Sequence, residues 1–303
     1  MALIQATEPT TQTALSGAIA TEYLHRRKQT LPVDPLVGLM IAGVIPLTLQ
    51  GTNSLTWQSS IENEFTGVAT VAENDAAPEE SLTATQVQVS GAKYGLRSFV
   101  LDNAIKLAGM GVKLTDVSRR LKHAHANYWH QQILALFTSI TAAGASADTD
   151  AMTLLIWDAN TASFRATPHD SGQLWAVLHN TAHAQLRSDL RQNAAALYGS
   201  AFGDAAARQL LNTKQGMGVP FDGYMLYESV DVPTSGAGVA NALGVGSPGM
   251  QENAGIVRPV WEKIDFEGQR DAGRFGLWIV SGLTAGVGIA KQANLRRFLS
   301  NGD

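Results

Sequence analysis

The sequence predicts an α+β fold: a polar arm, an extended β-hairpin, one long helix, a mixed α/β segment and closing strands. Three observations carry this. Apolar residues step by three and four from Leu114 to Ile140. Residues alternate with period two over Leu82–Val89. Between 150 and 250 short strand-like and helix-like patterns succeed one another, and β-prone runs return after 256.

Residues 1–35 read as an arm. They are polar, hold the basic run His25, Arg26, Arg27 and Lys28, and end in Pro32 and Pro35. A short helix over Ser16–Lys28 is compatible with this, but such a segment buries little surface by itself. Residues 57–100 read as a long hairpin. Thr66–Val71 is its first β-prone run, and ENDAAPEE (73–80), broken by Pro78, is its loop. In the returning strand Thr83, Thr85, Val87 and Val89 share one face, and Leu82, Ala84, Gln86 and Gln88 the other. Neither face is apolar enough for the core of an isolated domain, and a polar two-stranded ribbon is marginal alone.

The helix over 114–140 would be about 40 Å long and would act as a spine. Thr115 and Asp116 suit its first turn and Gly144 its stop. TLLIWD (153–158) reads as a buried strand, and Gln173–Tyr198 as helical turns with Leu174, Val177, Leu178, Leu186, Leu190 and Leu197 apolar. Asp204–Leu211 reads as a short amphipathic helix, Gly223–Ser229 as a strand and Pro233–Gly249 as a Gly/Ser/Pro-rich loop. Val257–Phe266 and Leu277–Val280 read as strands, followed by GLTAGVGIA and a basic tail with Lys291, Arg296 and Arg297. No internal repeat is evident.

Composition restricts the function. The 303 residues include 22 basic and 26 acidic side chains, a net charge of −4, and no cysteine. Disulfide scaffolds, thiolate zinc sites, iron–sulfur clusters and thiol catalysis are excluded. Only 16% of residues are charged, against about 25% in ordinary soluble proteins, which fits surface destined for burial against other copies and equally an Ala/Thr/Gly-rich enzyme surface. A pI near 6 is unlike that of a dedicated nucleic-acid binder. The N-terminus lacks the pattern of a signal peptide, and the apolar runs Leu36–Leu49 and Phe275–Ala290 fall short of a membrane span. The charge is also segregated. Residues 57–100 carry two bases, Lys93 and Arg97, against six acids: Glu62, Glu64, Glu73, Asp75, Glu79 and Glu80. That stretch alone equals the net charge of the chain.

No motif supplies a catalytic machine. His179 and His183 have the i, i+4 spacing that puts two imidazoles on one helix face, the basis of a metal-dependent hydrolase alternative. Asn180 stands where a zinc protease needs its glutamate, and no third ligand follows. His123 and His125 point about 200° apart on a helix, and His130 is two turns from His123. Gly244-Val-Gly246-Ser-Pro-Gly249 matches a dinucleotide fingerprint by letter, but Pro248 and loop-like flanks deny the strand and helix it requires. No nucleophile elbow or phosphate loop occurs, and Glu79/Glu80 lie in no apolar pocket.

The order of segments, with SLTATQVQVSGAKYGLRSFVLDNAIKLAG (81–109), LWAVLHNTAHAQLRSDL (174–190), GYMLYESVDVPTSG (223–236) and VWEKIDFEGQRDAGRFGLWIVSGLTAGVGI (260–289), resembles the major capsid proteins of tailed bacteriophages, with the Hong Kong 97-type fold. The resemblance covers most of residues 50–295. It implies an N-terminal arm (1–50), an extended loop (51–100), a peripheral domain with the spine helix (101–149 and 256–303) and an axial domain (150–255). It also implies a non-enzymatic subunit assembling, in the host cytoplasm, as hexamers and pentamers of an icosahedral shell around double-stranded DNA. No cofactor, metal or membrane is implied. A portal and decoration proteins are implied partners, and since the short arm leaves no room for a built-in scaffold, scaffolding would come from a separate protein or from an upstream segment absent from this chain. Some relatives link subunits through a lysine; Lys93 is the only lysine of the loop, and no motif assigns it that role. An encapsulin-type nanocompartment is the same-fold alternative. By charge, the acidic residues Glu73, Asp75, Glu79 and Glu80 need a basic or polar receptor on a neighbour. Candidates are Arg119, Arg120 and Lys122 on the spine, or Arg26, Arg27 and Lys28 in the arm.

Overall fold

The computed structural model describes residues 36–47, 55–62, 84–102, 114–192, 218–236, 238–246, 254–271 and 273–302. A one-turn helix α1 (Val37–Ile41) leads into β1 (Gly43–Pro46). Strands β2 (Thr56–Glu62) and β3 (Ala84–Leu101) follow, then the helix α2 (Leu114–Ala135), extended by a 3₁₀ turn over Leu136–Ser139. Next come α3 (Leu154–Arg165), β4 (Leu174–His179) and α4 (Asn180–Gln192). The remaining strands are β5 (Val219–Phe221), β6 (Tyr224–Ser229), β7 (Thr234–Ser235), β8 (Gly238–Val245), β9 (Ile256–Asp271), β10 (Gly276–Gly286), β11 (Gly288–Ile289) and β12 (Leu295–Asn301).

Two sheets organise the chain. The first runs β1-β9-β10-β3-β2, with β1 parallel to β9, the other neighbours antiparallel, and β11 on β9. The second runs β12-β8-β4-β6-β5, with β4 parallel to β6 and β7 on β8. Helix α2 spans both, at about 33 Å for 22 residues. Val117 and Leu121 pack with Val100 and Ile279 of the first sheet, and Trp129 with Leu283 and Ala285. Its end, with Ile133, Leu134 and Phe137, meets Trp175, Val177, Ala240 and Ala242 on the second sheet. The other face of that sheet, with Ala176, Leu178 and Leu243, is covered by Trp157 and Phe164 of α3 and Leu186 and Leu190 of α4.

Four readings change. TLLIWD opens a helix rather than forming a strand. Thr153 caps it, its side chain accepting from the Ile156 amide, and Leu154, Trp157, Thr161 and Phe164 recur at helical spacing through Arg165. Gln173–Tyr198 divides: Leu174–His179 is a strand buried on both faces, and the helix begins only at Asn180. Pro233–Gly249 is no loop, because β8 occupies its middle and every residue of β8 is buried. The basic tail is β12, whose Arg297 pairs with Ala242. The chain beyond 256, read as one block, thus gives strands to both sheets. The hairpin is present, with β2 paired to β3 from Thr56↔Ser90 to Glu62↔Ala84. Thr66–Val71, Ser16–Lys28 and Asp204–Leu211 lie outside the described residues.

Candidate functional site

The hairpin strand β3 serves two structures at once. Gly91–Leu101 pairs with β10 inside the first sheet, while Ala84–Ser90 pairs only with β2. Eighteen residues make one strand about 60 Å long. Val89 anchors the ribbon's base, packed with Val257, Ala254, Ile45 and Trp57. Beyond it Ala84, Thr85, Gln86 and Gln88 are exposed. The ribbon therefore leaves the sheet with no apolar face of its own, as its sequence pattern predicts.

The cations named from sequence fall in separate places. Arg119, Arg120 and Lys122 are exposed along the first half of α2. Lys93 is exposed on β3, opposite Thr284. Arg97 shares that face, its guanidinium 4.9 Å from the Trp278 ring centre. Two strands away on the same face, by register, stand Glu262, Asp265 and Glu267. Arg26, Arg27, Lys28, Glu73, Asp75, Glu79 and Glu80 lie outside the described residues.

Four histidines, His125, His130, His179 and His183, make contacts within the fold. His179 ends β4 and is not on the helix, so it and His183 do not share a helix face. The His179 ring meets Thr181 Oγ1 at 2.8 Å. His183 is buried, its Nδ1 3.2 Å from Glu228 Oε2. Burial, with Arg187 nearby, pushes its pKa down to about 4, so at neutral pH the ring is uncharged and Nδ1–H donates to Glu228. Burial lowers His179 as well, against the pull of Glu228. Among the described residues no group of three or more His, Asp or Glu side chains could hold a metal.

His125 is buried and its Nε2 is 2.9 Å from Ser281 Oγ, tying α2 to the first sheet. His130 is wholly buried and joins three segments. The Gly38 amide donates to its Nδ1 at 2.9 Å, which fixes the other nitrogen as the protonated one. Nε2–H then reaches Asp231 Oδ2 at 3.1 Å. The root of the arm, the spine and the second sheet are thus held by one neutral imidazole.

Sequence reasoning passed over Arg258. It lies in the apolar run Ile256–Val260, and a lone arginine inside such a run was the available signal. It is partly buried, and its Nε is sealed from solvent without a partner.

No family model and no curated protein matches the sequence. Solved structures do match. A chain of Mycobacterium phage Che8 aligns with a TM-score of 0.60 at 12% identity, over 82% of this chain and 85% of that one. A chain of the mature capsid of bacteriophage PhiM1 aligns at 0.60 and 11%, over 91% and 89%. One from the head of Helicobacter pylori bacteriophage KHP40 aligns at 0.57 and 12%, over 86% and 88%. At these identities the common property is the fold, and that fold is the α+β fold of phage capsid chains.

Proposed function

We propose that this chain is the structural subunit of an icosahedral capsid shell enclosing a phage genome. One observation carries this reading: chains of a phage capsid and a phage head share the fold over 91% and 86% of this chain. The ribbon supports it physically, since a polar two-stranded projection gains stability only against another molecule. The low charged fraction points the same way.

In this reading copies assemble as hexamers and pentamers, the protein resides in the virion after assembly in the host cytoplasm, and it catalyses nothing. Double-stranded DNA is held non-specifically, and near-neutral charge keeps that grip weak. A scaffolding protein, a portal and decoration proteins are further partners. We place the arm at 1–50, the extended loop at 51–100, the peripheral part around α2 and the first sheet, and the axial part around the second sheet with β12 included. The hydrolase alternative loses its premise with His179 on a strand and His183 turned to Glu228.

Electron microscopy of the expressed protein tests the proposal. Closed shells are expected, alone or with the phage's scaffolding protein; only monomers under both conditions would refute it. Glu79→Lys with Glu80→Lys should impair shell formation while leaving the subunit folded by circular dichroism. Normal shells from that variant at low salt would remove the acidic loop from the assembly contacts.

A further inference from the structure

His130 is wholly buried, yet it remains a base, and its two nitrogens depend on its protonation in opposite ways. The Gly38 amide donates to Nδ1 at 2.9 Å, so that nitrogen must keep its lone pair. Nε2 faces Asp231 Oδ2 at 3.1 Å and Ser229 Oγ at 3.4 Å. A proton added at Nδ1 strengthens the Asp231 side, where a hydrogen bond from a neutral ring becomes an ion pair. It breaks the Gly38 side, where two N–H groups then point at each other and a buried amide loses its acceptor.

The Gly38 side is what seats α1 on the spine. A Cβ on Gly38 would stand 2.7 Å from the His130 carbonyl oxygen and 3.2 Å from Nδ1, so only glycine allows this approach. Helix α1 has five residues, and one turn of helix does not hold itself in water. Its other anchors, Val37 and Ile41, pack in the cluster with Ile133 and Leu134 and are indifferent to pH.

Few charges surround the ring. Helix α1, VGLMI, has no titratable side chain. The end of β6 and the turn after it bring Asp231, with Tyr227 against the same apolar cluster, while Glu228 turns away to His183. Strand β10 presents Leu283 and Ala285. On β9, Ile256 packs with Ile133 and Val260 with Trp129, so alternation places Arg258 between them on the spine side. Within α2, His125 is engaged with Ser281. Asp231 draws a second proton to the ring, and Arg258 repels it.

We propose that His130 is an acid-released latch on α1. Protonation at Nδ1 breaks the bond to Gly38 and frees α1 from the spine, while Asp231 keeps the ring joined to the second sheet. The latch belongs to the single chain and stands with or without the shell reading.

The test is amide hydrogen exchange of the full-length unassembled subunit, followed by NMR from pH 7.5 to 4.5. The protection factor of the Gly38 amide should fall at least tenfold on acidification, while Ile133 and Leu134 keep theirs. Unchanged protection of Gly38, or a parallel loss at all three, overturns the latch. His130→Asn offers an Oδ1 near the place of Nδ1 that accepts without binding a proton; Gly38 protection should then no longer fall with pH, and a fall as in the wild type places the trigger elsewhere. Two readouts leave the ring unchanged. Ring nitrogen shifts at pH 7.5 should show Nδ1 bare and Nε2 protonated, and the opposite tautomer overturns the proposal. Asp231→Asn keeps an acceptor for Nε2–H but removes its charge, so release should move about one pH unit lower; an unshifted midpoint refutes Asp231 as the counter-charge and the latch with it.

Discussion

Gly244→Ala tests whether close packing, rather than loop flexibility, placed a glycine in β8. Gly244 lies directly opposite Trp175 in the antiparallel pair β4–β8. A Cβ there would stand 2.3 Å from Trp175 Cζ2, 2.6 Å from its Cε2 and 2.8 Å from Leu295 Cδ2. Ordinary contact begins near 3.4 Å, so the indole must retreat by about 1 Å. It has nowhere to go. Trp175 is 1% exposed and stacks on Phe137 at 6.1 Å, and Leu295 is equally buried. Overpacking of this kind costs about 1–3 kcal/mol. Two immobile neighbours place the expectation at about 2–3 kcal/mol, a roughly 30- to 150-fold rise in the unfolding constant. Urea denaturation of the unassembled subunit measures it. Trp175→Phe removes the ring atoms that clash, and Nε1 of Trp175 has no partner to lose. The double variant should therefore be more stable than the two single costs predict, by about 1–2 kcal/mol. A Gly244→Ala cost below about 0.5 kcal/mol, or strict additivity, would refute the packing account.

Two further perturbations probe buried polar groups. His183 binds its proton only near pH 4 in the folded state but near 6.5 when unfolded. The stability that this group contributes is complete above pH 6.5, falls by about 3 kcal/mol as pH drops toward 4, and levels off below. Unfolding curves of His183→Gln should lack that component between pH 6.5 and 4; parallel curves for variant and wild type would show that the ring is not buried neutral. Asn241 is fully buried, accepts from the His179 amide at 2.8 Å and donates to Ser300 Oγ at 2.8 Å. Asn241→Ala leaves both partners unsatisfied and opens a cavity, for an expected loss of about 2–4 kcal/mol by urea denaturation. A loss under about 1 kcal/mol would mean that neither bond matters.

Elements with one buried face announced themselves. Helix α2 packs Val117, Leu121, Trp129 and Ile133 inward at the spacing visible in the sequence. Strand β3 shows its alternation where Val87 and Val89 turn away from water while Gln86, Gln88 and Ser90 face it. Elements buried on both faces did not. Leu174–Leu178 is apolar throughout, and short apolar runs do not distinguish strand from helix. TLLIWD misled for the opposite reason: six residues look like a strand, and only the next seven reveal the helical stripe through Phe164. The candidate assembly residues were legible as charge but not as place, since sequence shows that Lys93 and Arg120 are basic without showing that water surrounds them.

Small residues in this chain mark tight packing as much as flexibility. GVANALGV reads as a loop by composition, yet Ala240 and Ala242 meet the spine, Leu243 and Val245 meet α3 and α4, and Asn241 bonds across two strands. A larger side chain at most of these positions would push the layers apart. The same logic inverts the reading of polar residues. His130 and Asn241 look like candidate chemistry in a sequence, but each spends its hydrogen bonds holding backbone or side chains of neighbouring segments. Arg258 differs from both in having no such partner. Its Nε shares that state with Trp129 Nε1, Trp175 Nε1, Tyr224 Oη and Arg296 Nε, all buried without a hydrogen-bond partner.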